Sequence, residues 1–76
     1  MIKVINVCSL LDELFGKDWP RDYTRPYAET QAAIMAWCEA NEAHYYARGR
    51  EEFSHSEAVD EAKQAGKTAV VVEDLS

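Results

Sequence analysis

The sequence predicts a small α+β domain of order β-α-α-α-β, its two terminal strands paired and packed on a long central helix. Three observations lead there. Residues 2–7, IKVINV, and 68–73, TAVVVE, are short β-branched apolar runs near the two ends of the chain. Between them, Leu-rich and Ala-rich segments repeat their apolar residues at helical spacing. The three glycines, Gly16, Gly49 and Gly66, fall where those segments stop. At 76 residues the chain makes one domain, 1–76, with no repeat, linker or low-complexity stretch.

The first strand, 2–7, is bounded by polar Ser9. The Ser9 hydroxyl can cap a helix over 10–15, with Asp12 in its electropositive first turn. Leu10, Leu11, Leu14 and Phe15 give that helix its apolar face, and Gly16 permits a left-handed stop. The stretch DWPRDYTRPY, 18–27, follows as a loop. Pro20 and Pro26 remove two amide donors and restrict the residues before them. Trp19, Arg21, Tyr23, Arg25 and Tyr27 alternate aromatic and basic at every second position. Trp19 and Tyr27 are expected to fold back as core, because a chain this small needs its rings there. Arg21, Tyr23 and Arg25 are then left exposed to a partner.

The long helix is expected over 26–48, rich in alanine and free of internal Gly and Pro. Ala33, Ala36, Ala40, Ala43 and Ala47 form a stripe that another helix can approach closely. Ile34, Trp37, Cys38, His44, Tyr45 and Tyr27 widen it into an apolar arc. Gln31, Met35, Glu39, Glu42 and Tyr46 lie on the opposite, polar arc, and Gly49 ends the helix. The last helix opens on Ser54 and Glu57, a capping box, with Phe53 stapled onto Ala58. Ala58, Val59, Ala62 and Ala65 face inward, and Gly66 stops it. The closing strand, 68–73, has a continuous apolar run that implies burial on both faces. Two strands alone are marginal in water. Either helices cover the pair, or the sheet continues across a two-fold axis into a second copy, giving a homodimer.

Charge narrows the function. Lysine and arginine total 8 against 14 acids, a formal net charge of −6. Residues 1–27 are balanced, so the whole excess sits in 28–76. Such a surface repels phosphates and attracts basic proteins, which argues against direct nucleic-acid binding. No apolar run is long enough for a membrane, and residues 1–16 lack the features of a signal peptide, so a cytoplasmic location is expected. Cys8 and Cys38 are too few for a secreted disulfide scaffold and are expected as reduced, buried thiols, a Cys8–Cys38 bridge being the alternative.

No catalytic motif accompanies these features. There is no glycine-rich phosphate loop and no nucleophile elbow. Cys8, Cys38, His44 and His55 match no zinc spacing, so no metal or cofactor is expected. His44 reads as a hydrogen-bonded core or boundary histidine, and His55 as a solvated one. Glu39 and Glu42 are three residues apart, but acid–base work needs a cleft that shifts one of them. The expectation is a protein that is not an enzyme.

Two surfaces suit partner binding. Arg21, Tyr23 and Arg25 have hot-spot composition. Met35, Glu39, Glu42 and Tyr46 step along the polar arc of the long helix, where Met and Tyr have no core to enter. Glu57, Asp60 and Glu61 add an acidic face on the last helix. In size, charge and lack of a catalytic motif the chain is similar to the small inhibitors that bacteriophages and mobile elements encode, among them anti-CRISPR proteins and inhibitors of host polymerases. That likeness implies occlusion of a basic groove on a nucleic-acid-handling complex. The alternatives are an accessory subunit that completes a larger assembly, a single-strand nucleic-acid binder using the 19–27 loop, and a small enzyme using His44 or the glutamate pair.

Overall fold

The computed structural model describes residues 1–16 and 27–75. Trp19, Arg21, Tyr23 and Arg25 lie outside the described residues, and so does the expectation placed on each of them.

Among the described residues six elements follow one another: β1 (Lys3–Asn6), α1 (Val7–Phe15), α2 (Tyr27–Ala40), β2 (Ala43–Arg48), α3 (His55–Gln64) and β3 (Ala69–Asp74). The strands form a three-stranded, wholly parallel sheet of order β1-β3-β2. The coarse class is the expected α+β, and β1 does pair with β3, Lys3 opposite Ala69 and Asn6 opposite Val72. The element order differs from β-α-α-α-β. The predicted 26–48 helix ends at Ala40, and a third strand takes its second half. The reason lies in β3. A strand apolar on both faces is stable with a ladder on each edge, and 43–48 supplies the second ladder, Ala43 opposite Ala69 through Arg48 opposite Asp74. Tyr45 and Tyr46 suit a pleated surface better than a helix. The break is made by Asn41 and by Glu42, whose φ of 52° is left-handed.

Pleating sends alternate residues to opposite faces. On one face α1 and α2 bury Val7, Leu10, Leu11, Ile34 and Cys38 against Ala43, Ala69 and Val71, with Ile5, Trp37, Phe15 and Tyr45 at the margin. On the other, α3 buries Ala58 and Ala62 against Tyr46, Val70 and Val72, with Ile2 and Phe53 at the margin. Val70, Val71 and Val72 are all buried, as a central strand requires. The predicted alanine stripe is divided accordingly: Ala43 is buried in the sheet, while Ala36 and Ala40 are exposed on α2.

Local signals fared unevenly. α1 starts three residues earlier than expected, because Asn6 rather than Ser9 is its cap, the Asn6 side chain accepting from the Cys8 amide at 2.8 Å. Gly16, at φ 86°, closes α1, its N–H donating to the Asp12 carbonyl. Ser54 caps α3, its Oγ accepting from the Glu57 amide at 3.4 Å. Ala65, expected inside, is exposed. Cys38 is buried, and burial pushes its thiol up from the usual range; Cys8 is exposed, and both are free thiols. No helix among the described residues is long and apolar enough to cross a membrane.

Candidate protein interface

α2 enters β2 through the two-residue turn 41–42, and α3 crosses from the end of β2 to the start of parallel β3, so the amino ends of α2 and α3 lie at the carboxyl edge of the strands. This direction sorts the charges. Glu29 in the first turn of α2, Glu57 in the first turn of α3, Glu51 and Glu52 after β2, and Glu73 and Asp74 at the end of β3 gather at that edge. Arg48 and Arg50 are the cations beside them. Lys3 at the start of β1, Lys63 in the last turn of α3 and Lys67 before β3 lie at the opposite edge. Glu39 in the last turn of α2 and Glu42 in the turn entering β2 share that opposite edge with the lysines, so acids outnumber cations most where the strands end.

Two side-chain clusters stiffen the acidic edge. On the α2 face, the Tyr27 hydroxyl donates to Glu73 Oε2 at 3.0 Å, and the Tyr45 hydroxyl donates to Glu73 Oε1. Tyr27 is 50% exposed, not the core residue expected, because its ring reaches out to this carboxylate rather than inward. Burial first, then the Glu73 carboxylate, drives the Tyr45 phenol far above its ordinary range; burial raises Tyr27 in the same direction. Both phenols stay neutral donors, so Glu73 is held as a fixed acceptor.

On the α3 face, His44 Nε2 lies 3.0 Å from Glu61 Oε1, and Arg48 reaches Glu61 Oε2 at 2.9 Å. The Arg48 guanidinium also stacks 4.5 Å from the Tyr46 ring centre. The hydrogen bond from His44, with Arg48 beside it, holds the Glu61 carboxyl below the usual carboxylate range. His44 is thus a partnered boundary side chain. Glu61 is engaged within the fold, so the acidic face read on α3 reduces to exposed Glu57 and Asp60.

The stripe Met35, Glu39, Glu42 and Tyr46 does not exist as one surface. Met35 and Glu39 are exposed on α2, and Glu42 is exposed in the turn that follows. Tyr46 is 0% exposed, in the α3-side core, its hydroxyl donating to the Glu52 carbonyl and accepting from the Ser54 amide. Once β2 is a strand, position 46 faces α3 rather than solvent. Glu39 and Glu57 sit on helices covering opposite faces of the sheet, so they do not line a single plane. Glu29, Glu51, Glu52, Glu73 and Asp74 escaped the sequence reading. Their gathering depends on a parallel sheet, which no local pattern in residues 28–48 signalled. Among the described residues no group of three or more His, Cys, Asp or Glu could hold a metal ion.

No protein-family model, curated protein or solved structure matches the chain.

Proposed function

We propose that this chain is a non-catalytic, acidic protein-binding module that occludes a basic surface of a nucleic-acid-handling complex, in the manner of small phage or mobile-element inhibitors. One observation carries the reading: the gathering of Glu29, Glu51, Glu52, Glu57, Glu73 and Asp74 at the carboxyl edge of the sheet. Carboxylates held on a rigid edge imitate the charge of a phosphate backbone and steer association with a cationic groove. The partner is a protein; the same charges oppose nucleic acid and offer nothing to a membrane. No cofactor enters the mechanism.

The test is capture from nuclease-treated lysate, followed by binding kinetics on the enriched complex. Glu51→Lys with Glu52→Lys is expected to slow association about tenfold at low salt, the difference shrinking as salt rises. Unchanged association at low salt, or tight binding of a single-stranded oligonucleotide, would overturn the reading. The outer edges of β1 and β2, which pair with no strand among the described residues, favour a second reading, an accessory subunit or homodimer whose sheet continues into another chain.

A further inference from the structure

The solvent side of α2 is apolar where a surface helix is ordinarily polar. Ala28, Ala32, Met35, Ala36 and Ala40 are exposed, Met35 at 55%, and they share one arc of the helix with Glu29 and Glu39. The other side of α2 already packs, burying Ile34 and Cys38 over the sheet and α1. A helix apolar on both sides is ordinarily covered on both. Short alanine side chains set no ridge in the way, so a second helix can approach to the near end of the usual ~8–10 Å interaxial range. Met35 at the border of the arc adapts to the shape of what arrives.

Charge decides the occupant. α2 has no Lys or Arg, and Glu29 and Glu39 stand near its two ends. A second copy seated antiparallel on this arc sets Glu29 against the partner's Glu39 at both ends; a parallel one sets like against like. Each copy also brings a net charge of −6. The complement is a helix with a small apolar ridge and a cation towards each end. At 1.5 Å per residue the two carboxylates are about 15 Å apart along the axis, close to three turns.

We propose that this arc docks a helix of a different protein, its apolar ridge over Ala32, Met35 and Ala36, its Lys or Arg side chains on Glu29 and Glu39. The proposal rests on the acidic binding-module reading and names the element of the partner that meets α2.

The test uses the full chain and two synthetic helical peptides with an Ala–Leu ridge, one carrying lysines three turns apart, the other glutamates. Fluorescence anisotropy is expected to show binding of the lysine peptide alone. Ala36→Arg, and separately Glu29→Lys with Glu39→Lys, should weaken it about tenfold, and the double reversal should admit the glutamate peptide. Circular dichroism checks that each variant keeps its helicity, and Ala32→Arg repeats the steric test one turn away. No binding of the lysine peptide, equal binding of both peptides, or indifference to both arginine variants overturns the proposal. So does a dimer in sedimentation that Ala36→Arg disperses, which would assign the arc to a second copy. Glu51→Lys with Glu52→Lys keeps the two readings apart. Peptide binding with partner capture unaffected by that pair would leave the arc and remove the acidic edge, and the reverse result would remove the arc alone.

Discussion

Tyr46 shows how much one residue can change meaning with its element. Its ring fills the α3-side core edge-on to Phe53, 5.5 Å between ring centres, and its hydroxyl bridges the Glu52 carbonyl and the Ser54 amide. Tyr46→Phe should therefore cost about 1 kcal/mol, the usual net worth of a hydrogen bond, read as a shift in urea midpoint without a change in slope. Tyr46→Ala should cost about 3–5 kcal/mol through the cavity it leaves. Glu61 gives a pH signature. Its folded pKa is depressed by the His44 hydrogen bond and by Arg48, so its contribution is present above the ordinary glutamate pKa of about 4.3 and lost as pH falls through the folded value. The unfolding midpoint of the wild type should fall more steeply than that of Glu61→Gln as the pH is taken down from about 5. Parallel curves would show that the pair adds nothing.

At the scale of the element, the boundary between α2 and β2 is the informative one. Glu42 holds a left-handed φ of 52° without being glycine, and its carbonyl accepts from the Thr68 amide at 3.3 Å. Glu42→Gly is expected to stabilise the fold by roughly 0.5–1 kcal/mol, since relief of the Cβ clash outweighs the added freedom of the unfolded chain; a lower thermal midpoint would contradict this. The turn is also where the sequence misleads. Asn41-Glu42 has none of the Gly or Pro punctuation that marks other turns, and the alanines at 33, 36, 40, 43 and 47 keep helical spacing straight through it. By contrast α3 was legible, because Ser54, Glu57 and Gly66 are local signals whose chemistry needs no distant partner. The β1–β3 pairing was legible for a different reason, since each of two short apolar runs needs a partner strand.

At the scale of the whole molecule, both cores and both ladders meet on β3. Val71 is 0% exposed and belongs to the same core as Leu10 and Ile34. Val71→Asp should abolish the cooperative unfolding transition, because an unpaired carboxylate there has no partner and no water; a sigmoidal melt by circular dichroism would count against this architecture. The candidate site is likewise a property of the whole. Its acids are scattered from Glu29 to Asp74 in sequence, and only the common direction of the strands gathers them. That is why composition pointed to an acidic surface while, of the residues expected on it, Glu57 joins the edge, Asp60 is exposed along α3, and Glu39, Glu42 and Glu61 are dispersed or engaged.

The strand order β1-β3-β2 has a consequence for how the chain is made. The central strand is the last of the six elements among the described residues, and its two neighbours do not touch each other without it. During synthesis β1 and β2 leave the ribosome with no sheet to join, and their apolar faces wait for residues 69–74. A chain truncated before β3 should stay open to proteases along its length, and restoring those six residues should close both halves in one step.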